Sequence, residues 1–478
     1  MMSAGRVRLP VGSDRQAPEL IWPGKAGPVV PRDASLATIE VVGAERAAGR
    51  PGQGTEGWRN RLIHGDNLRA MAALLPVYAG EIQLVYVDPP FDTGAAYMQR
   101  IAVADAGGRR PPRVLPVPAY RDSWGPGRGS YLQMLYERLH LAHALLAEGG
   151  AIYVHVDPTV SPYVRLLLDE IFGPAGFQRE IVWRIGWVSG YKSAAANWVR
   201  NHDTILYYTK GRPAVFNKEY LAYPVGYRRR GSGRRGGRGY PIEDVWNATP
   251  AEQALAGADS LDSIQIKSFS TEKTGFPTQK NESLLRRIVR ASSRPGDLVA
   301  DFFCGSGTTL VVAEQLGRRW IGCDCEGRAV HTARKRLVGT PGVAPFLVQG
   351  CTDCRGADWR LAAGAHRKVA ACPEITVKTM QRRVSVRLRG YRPAHGSGER
   401  RARGTEGTAY VDYWAVDYEH DGEVFRDAWR SFRGRAADAL ELEAPAYTYA
   451  RGGAYRIAVK VVDIFGGEAT TVLETVVA

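Results

Sequence analysis

The 478-residue chain has few cysteines and no long apolar run. Six cysteines at this length are too few to suggest the disulfide framework of small secreted proteins. No run of about 18 apolar residues occurs, so a transmembrane helix is not expected. The N-terminus also lacks the apolar core of a secretory signal behind its early arginines. Together these absences predict a cytoplasmic protein that has no membrane partner.

Acidic residues are in the minority, because 64 Lys and Arg against 49 Asp and Glu give a formal net charge of +15. A positive excess of this size favours polyanionic partners, nucleic acid first and anionic membrane second. The alternative is an arginine-rich composition that carries no function. Hydrophobic residues make up 44% and charged residues 24% of the chain, which is ordinary for a globular protein. The length allows about two or three domains.

Metal ligands are sparse as well. Cys351 and Cys354 have the spacing of half a zinc site, and Cys372 and His366 lie nearby in the sequence, but a second half with matching spacing is absent. Unpaired thiols are therefore the preferred interpretation over structural zinc. The histidines show no paired spacing that indicates a metal, and we expect no metal site.

The order of apolar patterns predicts the domain organisation. Apolar runs typical of buried strands alternate with helical patterns from Trp58 onward, which predicts a mainly parallel α/β sheet. From Gly94 to Trp124 the sequence is irregular and rich in proline, and we expect a mobile loop there. The predicted divisions are a flexible N-terminal arm (1–57), an α/β domain (58–340) with an insertion at about 209–275, a linker (341–379) and a C-terminal β-rich domain (380–478).

One buried strand ends at an acid that is followed by two prolines. Residues 84–87 are apolar without alternation, as in a parallel sheet. Pro89 and Pro90 cannot extend the strand, because proline has no backbone N–H. The turn presents the Asp88 carboxylate, free proline carbonyls and the Phe91 ring at the carboxyl end of a strand, where open α/β sheets bind ligands. Such a pocket suits a flat ring that carries an amino group.

A glycine-containing loop follows another predicted strand. The segment Asp301 to Thr309, Asp-Phe-Phe-Cys-Gly-Ser-Gly-Thr-Thr, ends a strand and opens a helix, so its backbone can approach a ligand. It lacks the third glycine of a dinucleotide fingerprint and the lysine of a P-loop. Asp324 ends the next predicted strand, where an acid binds ribose hydroxyls. A nucleoside cofactor without pyrophosphate fits this pattern, which points to S-adenosylmethionine.

These motifs resemble those of the β class of DNA amino-methyltransferases. That family has a catalytic Asp/Asn/Ser-Pro-Pro-Tyr/Phe/Trp motif ahead of a Phe-x-Gly-x-Gly-Thr-Thr cofactor motif, and Asp88 precedes the glycine-containing loop here in the same way. The family's Gly-Asp turn and Pro-Thr-Gln-Lys motif match Gly65-Asp66 and Pro277-Thr278-Gln279-Lys280. The resemblance covers about residues 60–340. It is closest to the methylation subunits of Type III systems and related stand-alone adenine methyltransferases.

The resemblance implies a Rossmann-like, S-adenosylmethionine-dependent methyltransferase fold with circularly permuted motif order. It also implies site-specific transfer of a methyl group to N6 of an adenine flipped out of double-stranded DNA, since Asp stands first in the catalytic motif. The catalytic residues would be Asp88, Pro89, Pro90 and Phe91. The cofactor-binding residues would be Asp66 at the adenine, Thr278 and Lys280 at the carboxylate, Asp301, Phe303, Cys304, Gly305, Ser306, Gly307 and Thr308 at the methionine portion, and Asp324 at the ribose.

Other functions compete with this interpretation. The same fold could methylate N4 of cytosine. In a different class, the chain could be a DNA-binding docking subunit of a defence complex, although the intact Asp88 and glycine loop argue against that. A nicotinamide oxidoreductase fails on the glycine spacing.

A glycine-spaced arginine cluster lies within the predicted insertion, which would serve target recognition. A solvated loop is one interpretation, and phosphate neutralisation with base stacking by the flanking Tyr227 and Tyr240 is the other. Candidate partners are double-stranded DNA, a restriction or other defence-system subunit, and a second copy of the chain in a homodimer. The candidate DNA-binding residues are Arg228, Arg229, Arg230, Arg234, Arg235 and Arg238.

Overall fold

In the computed structural model, one large mixed sheet carries helices on both faces and is followed by two smaller antiparallel sheets. Among the described helices, none combines the length and apolarity that a membrane span needs. The described residues are 6–8, 19–43, 57–92, 94, 96–103, 113–121, 125, 127–184, 196–221, 223, 239–247, 272–351, 372–393, 407–433 and 440–478.

The first helix begins with a side-chain cap. The Asp66 Oδ1 atom caps the first helix by accepting hydrogen bonds from the backbone N–H groups of Leu68 (2.9 Å) and Arg69 (3.2 Å). Short 3-10 turns occur at Pro174–Gly176 and Gly407–Tyr410. The α-helices of the described residues are Asn67–Tyr78, Arg128–Leu145, Ser161–Phe172, Glu282–Ser292, Thr308–Gln315 and Gly327–Gly339.

Strands take up most of the remaining described residues. In chain order they are β1 Arg6–Arg8, β2 Val29–Pro31, β3 Leu36–Val42, β4 Asn60–His64, β5 Ile82–Val87, β6 Ala96–Val103, β7 Arg113–Arg121, β8 Leu146–Val156, β9 Phe177–Arg184, β10 His202–Thr209, β11 Tyr220–Leu221, β12 Tyr240–Pro241, β13 Val245–Trp246, β14 Leu298–Asp301, β15 Arg319–Asp324, β16 Phe346–Cys351, β17 Cys372–Met380, β18 Arg383–Arg392, β19 Val411–Asp417, β20 Phe425–Arg426, β21 Trp429–Phe432, β22 Tyr447–Thr448, β23 Gly453–Asp463 and β24 Glu468–Val477.

The central sheet has eleven strands in the order β13-β9-β10-β8-β5-β14-β15-β4-β16-β3-β20. The six strands from β8 to β16 in this order run parallel to one another. At the two ends of this parallel block, β10 is antiparallel to β8 and β3 is antiparallel to β16. The predicted α/β fold class is therefore confirmed. Strand β5 pairs with β14, although most of the α/β domain separates the two strands in the chain. The strand of the Asp-Pro-Pro-Phe motif thus comes before the strand of the glycine loop, which is the permuted order that the motifs predict.

Two apolar layers hold the sheet between its helices. One face of the sheet packs against the helices Asn67–Tyr78, Arg128–Leu145 and Ser161–Phe172. The other face packs against Glu282–Ser292 and the two helices that follow it. Because β5, β14 and β15 are buried on both faces, their fully buried residues are mainly apolar and do not alternate with polar ones.

The prediction of a flexible arm over residues 1–57 is wrong for its middle part. Strand β3 lies in this segment and joins the central sheet between β16 and β20. The segment Leu-Ala-Thr-Ile-Glu-Val-Val is rich in β-branched residues, which favour strands. Prolines, glycines and alanines on either side of β3 dominate the composition of the whole segment, so a prediction from that composition misses this short strand. Residues 44–56 lie outside the described residues.

The predicted linker, residues 341–379, is also corrected at both ends. Strand β16 pairs in parallel with β4, so the α/β sheet continues beyond the predicted boundary at residue 340. Strand β17 begins the C-terminal sheets at Cys372. Residues 352–371 lie outside the described residues, and Cys354 and His366 of the considered zinc site are among them.

The loop predicted from Gly94 to Trp124 is instead a two-stranded antiparallel ribbon, β6 with β7. Prolines at positions 116 and 118 fall within β7. A ribbon tolerates proline because each of its strands has a free edge, where a missing backbone N–H leaves no ladder hydrogen bond unmade. Within the predicted insertion, β11 pairs with β12, and β13 adds to the edge of the central sheet beside β9.

The C-terminal strands form two antiparallel sheets, β17-β18-β22 and β21-β19-β23-β24, around an apolar core that includes Trp414 and Tyr449. The β-rich type of this region agrees with its alternating sequence. It is not separate from the α/β domain, since β20 pairs with β3 at the edge of the central sheet. Asp412 of β19 also contacts His331 (2.8 Å) and Lys335 (2.7 Å) on the helix Gly327–Gly339.

A buried ionic cluster joins the two regions and is called the Glu40 cluster below. Glu40 of β3 is fully buried, and its Oε2 atom accepts hydrogen bonds from Arg334 Nη1 (2.7 Å) and Lys460 Nζ (2.6 Å). Glu468 pairs with the same two cations. Burial acts to raise the pKa of Glu40, but the two cations outweigh it and hold the pKa below its usual value. Three distant parts of the chain therefore meet at one set of compensated charges.

Candidate active site

Four neighbouring parallel strands each deliver an acid to the same edge of the sheet. Asp88 follows β5, Asp301 ends β14, Asp324 ends β15, and Asp66 lies just beyond β4. The carboxyl ends of parallel strands meet at one edge, so acids far apart in the sequence converge. All four line one cleft of about 360 Å³.

Nearly all of the residues that the sequence assigned to the catalytic motif and the cofactor site line the cleft. Of the fifteen residues predicted for the catalytic motif and the cofactor site, all but Gly307 line it. The sequence analysis assigned no role to several other lining residues, although two of them, Gln279 and Thr309, lie within its motifs. They include Asn67, Tyr86, Phe276, Gln279, Thr309 and Glu326.

The Asp-Pro-Pro-Phe motif follows β5, the first of these four strands, and its carboxylate is paired with a lysine. Lys280 Nζ donates a hydrogen bond to Asp88 Oδ2 at 2.5 Å and lies 5.3 Å from the centroid of the Phe91 ring. The two charged side chains are only 10% and 17% exposed, so the pair is largely removed from solvent. The sequence placed Lys280 at the cofactor's carboxylate, whereas here its ammonium contacts the catalytic motif.

Hydrogen bonds from the backbone and from a hydroxyl group orient the acids of the cofactor motif. Asp301 accepts from Phe303 N (3.0 Å) and from Thr309 Oγ1 (2.6 Å), and it is almost fully buried. Burial raises the pKa of Asp301 to about 7. Asp324 accepts from Gly305 N and Glu326 N, both at 2.9 Å, and burial raises the pKa of Asp324 to about 6.

Gly307 does not line the cleft but packs against the helix Gly327–Gly339 on the other side of the loop. Its φ is +77°, in the left-handed region that favours glycine. A Cβ atom at this position would lie 2.7 Å from the Cβ of Ala333 on the neighbouring helix. The second glycine of the motif is therefore required both by its backbone conformation and by close helix packing.

Arg336 holds the glycine loop in place. It lies about 30 residues after the loop in the sequence, and no local pattern indicates the contact. Its Nη1 atom donates to the Ser306 carbonyl (3.1 Å) and to Thr308 Oγ1 (2.8 Å). Its Nη2 atom donates to Glu282 Oε1 (2.7 Å). The guanidinium group thereby connects the loop to the start of the preceding helix and holds the loop backbone in place.

Asp66 has a cationic partner that the sequence analysis also missed. Its Oδ2 atom accepts a hydrogen bond from Arg138 Nη2 at 3.0 Å, and Arg138 Nε donates to Asn67 Oδ1. Asn67 in turn donates to the Phe302 carbonyl at 2.8 Å. Arg138 is buried on a helix whose apolar spacing predicted only core packing. It links the Gly-Asp turn to the cofactor motif.

The Pro-Thr-Gln-Lys segment is held in a strained turn at the rim of the cleft. Thr278 has a φ of +59°, which is rare for a β-branched residue and carries backbone strain. The Lys280 carbonyl accepts a hydrogen bond from Thr308 Oγ1 at 3.1 Å. The segment is thus attached through its backbone to the cofactor loop.

A buried polar chain supports the catalytic strand from the neighbouring strands. His155 Nδ1 hydrogen-bonds the Tyr86 hydroxyl at 2.8 Å, and its ring lies 6.0 Å from that of Phe91. Asp203 approaches His155 Nε2 at 3.4 Å and also pairs with Arg200. Burial acts to raise the pKa of Asp203, but the His155 hydrogen bond and nearby cations outweigh it and lower the pKa to about 2.

The six arginines that the sequence analysis proposed as DNA-binding residues lie outside the described residues. They are Arg228, Arg229, Arg230, Arg234, Arg235 and Arg238. Cys351 is buried in β16, and its thiol lies 3.9 Å from the Asp66 carbonyl oxygen. Within the described part of the chain, no three His, Cys, Asp or Glu side chains are grouped so that they could hold a metal ion.

Comparison with known proteins identifies the family. Residues 82–335 match the family model for N6/N4 methyltransferases, described as DNA methylase. The chain is 30% identical over 331 residues to the Type II methyltransferase M.EcaI of Enterobacter cloacae, covering 58% of this chain and 69% of that protein. It is 59% identical over 281 residues to the Type II methyltransferase M2.DpnII of Streptococcus pneumoniae, covering 58% and 88%. It is 26% identical over 278 residues to the DNA adenine methyltransferase YhdJ of Escherichia coli (strain K12), covering 58% and 82%.

The matched region contains the catalytic motif, the cofactor loop and most of the strands that line the cleft. It spans more than half of the chain. The resemblance to DNA amino-methyltransferases and the predicted cofactor are thereby confirmed. The chain belongs to the N6/N4 DNA methylase family, whose methyl donor is S-adenosylmethionine.

Proposed function

We propose that the chain methylates N6 of adenine at a specific site in double-stranded DNA. The observation that carries this proposal is the position of Asp88 beside Phe91 in the same cleft as the glycine loop. A stacked base cannot reach such a cleft, so the target must be flipped out of the duplex. The likeness to YhdJ, which is named a DNA adenine methyltransferase, supports adenine, as does aspartate at the first position of the motif.

The acceptor groups of the cleft match the cofactor. S-adenosylmethionine carries a sulfonium, an ammonium group and several hydrogen-bond donors, and, when bound, it supplies an electrophilic methyl group. Five acidic side chains line the cleft, at positions 66, 88, 301, 324 and 326, and all are suited to cations or hydroxyl groups. We assign Asp301 to the methionine portion, Asp324 to the ribose and Asp66 to the adenine.

The catalytic residues act on the base amine. The Asp88 carboxylate and the Pro89 carbonyl accept its two hydrogens, which points the nitrogen lone pair at the methyl group. Phe91 stacks on the ring. The amine loses a proton as its nitrogen forms the new bond, and Asp88 stabilises the positive charge that develops there. Alignment and charge placement supply most of the acceleration.

The reaction is tested by transfer from labelled S-adenosylmethionine to genomic DNA, followed by analysis of the nucleosides. N6-methyladenine is the expected product. N4-methylcytosine would overturn the assignment of the base while keeping the family. An absence of transfer to any DNA, together with intact cofactor binding, would favour the docking-subunit alternative.

Cofactor affinity should increase as pH rises from about 6 to about 8. At the lower pH, Asp301 is mostly protonated, because burial raises its pKa to about 7. A cationic cofactor favours the ionised carboxyl, so binding releases a proton and the Kd falls with pH. Calorimetry in two buffers of different ionisation enthalpy measures this release, which should approach one proton at about pH 6.

Thr309→Val provides the control for this pH dependence. The Thr309 hydroxyl donates to Asp301 Oδ2, and its removal destabilises the ionised carboxyl. The variant should therefore shift the affinity profile to higher pH. An affinity that does not change with pH in either protein would contradict the assignment of Asp301 to the cationic part of the cofactor.

Arg138→Met should raise the Kd for S-adenosylmethionine about 10-fold. The substitution removes hydrogen bonds to Asp66 and Asn67, and a hydrogen bond to a charged group contributes about 1.5–3 kcal/mol. Arg165→Met is the matched control, because Arg165 pairs with Asp169 on a different helix, and neither residue lines the cleft. Equal affinities of the two variants, measured by calorimetry, would show that Arg138 does not position Asp66 for binding.

A further inference from the structure

We propose that the Lys280 ammonium occupies the place of the target amine in the free enzyme, and that the carboxylate of the cofactor draws it away before the base enters. This inference rests on the proposed function, because it concerns the same cleft. It makes Lys280 a residue that couples cofactor binding to base entry.

The first support is the pair of groups that Lys280 contacts. Its Nζ atom donates to Asp88 Oδ2 at 2.5 Å and lies 5.3 Å from the Phe91 ring centroid. In the proposed reaction, the same carboxylate accepts hydrogens from the base amine, and the same ring stacks on the base. An N–H donor over the aromatic face therefore already fills the place of the substrate's amino group.

The second support is that the occupied position excludes the base. The target amine cannot donate to Asp88 Oδ2 at the point where Lys280 Nζ lies, since two nitrogen atoms cannot share that position. The ion pair is largely removed from solvent, so breaking it without replacement would leave two poorly hydrated charges. Lys280 therefore needs another anion before it can leave.

The third support is the charge distribution of the cleft. Among the described residues that line it, Lys280 is the one Lys or Arg side chain, whereas five acids line the same walls. A cofactor that carries a carboxylate finds in this lining a single cationic partner. The Lys280 carbonyl accepts a hydrogen bond from Thr308 of the cofactor loop, so the lysine is attached beside the loop that would hold the cofactor.

These features predict reciprocal coupling. A cofactor that binds Lys280 frees Asp88 and the Phe91 face for the base. By thermodynamic linkage, removal of Asp88 must in turn favour the cofactor carboxylate, because Lys280 no longer has a competing partner. This second consequence can be measured without DNA, and so without any assumption about which base is methylated.

The test compares S-adenosylhomocysteine with its decarboxylated analogue, which keeps the amine and lacks the carboxylate. Calorimetry on the full chain should show that Asp88→Ala lowers the Kd for S-adenosylhomocysteine about 10-fold and leaves the Kd for the decarboxylated analogue unchanged. Lys280→Met should bind the two ligands with similar affinity, and addition of Asp88→Ala to it should change neither. Unchanged or weaker binding of S-adenosylhomocysteine by Asp88→Ala would overturn the proposal.

Base entry provides the second readout, with a DNA duplex that carries 2-aminopurine at the target adenine. In the wild-type protein, fluorescence from the flipped base should increase with S-adenosylhomocysteine and not with the decarboxylated analogue. In Lys280→Met it should be high without either ligand. Fluorescence that depends on the cofactor carboxylate in Lys280→Met as in the wild type would contradict the exclusion of the base by Lys280. If cytosine were the target, this signal would be absent in every protein while the calorimetric pattern remained.

Discussion

Replacement of Asp88 by alanine should lower kcat for methyl transfer on the order of 10³-fold, a loss typical of removing one preorganised electrostatic group from an active site. The carboxylate is the acceptor that aligns the amine and stabilises its developing charge. Single-turnover transfer to a DNA duplex that contains the methylated site measures the chemical step directly. Asp88→Asn keeps one acceptor oxygen at the same position, and its rate should lie between those of the wild type and Asp88→Ala.

Cofactor binding separates this expectation from a loss of structure. Asp88→Ala should still bind S-adenosylmethionine, because Asp66, Asp301 and Asp324 remain in place at the other strand ends. A variant that binds the cofactor and retains more than about a tenth of the wild-type rate would mean that another group accepts the amino hydrogens. Loss of both cofactor binding and transfer would indicate that the cleft had collapsed.

Glu40→Gln should lower the free energy of unfolding by about 3 kcal/mol, the lower end of the range for breaking a buried ion pair by removing one partner. Glu40 is fully buried between Arg334 and Lys460, and among the described residues the substitution leaves Glu468, which is 40% exposed, as the acid that still pairs with both cations. That remaining acid is the reason to expect the lower end. Urea denaturation followed by fluorescence measures the change.

Glu374→Gln provides the matched control for the Glu40 cluster. Glu374 faces Arg392 at 3.8 Å in a pair whose side chains are both more than half exposed. Exposed pairs of this kind contribute about 0–1 kcal/mol, so this substitution should be nearly neutral. Similar losses in the two variants would show that the Glu40 cluster does not hold the C-terminal sheets to the α/β domain.

The sequence predicted the composition of the cleft well, because its features are local. A strand, an acid and a proline or glycine turn can be recognised within ten residues, and parallel strands then bring their carboxyl ends together without further information. For that reason the residues around Asp88 and Asp301 line the same cleft. The class of fold was predictable on the same grounds.

The contacts between these motifs were not predictable, because they depend on three-dimensional register. Arg138 and Arg336 lie on helices in which no motif marks them. Arg138 contacts the Asp66 carboxylate, and Arg336 contacts the glycine loop, and both partners are distant in the sequence. Lys280 was assigned to the cofactor by resemblance alone, and nothing local indicates that its ammonium reaches Asp88. Strand β3 was missed for a different reason, since its short β-branched run was averaged with flanking prolines and glycines.

The position of β3 also has a consequence for biosynthesis. This strand is made well before its sheet partners, β16 and β20, and the Glu40 charge is not fully compensated until Lys460 has left the ribosome. At a synthesis rate of about 5–20 residues per second, that delay is roughly 20–80 s. The α/β sheet therefore cannot be completed at this edge before β16 and β20 have been made. Until then β3 lacks these partners, and an unpaired strand edge can be bound by a chaperone or by a second nascent chain.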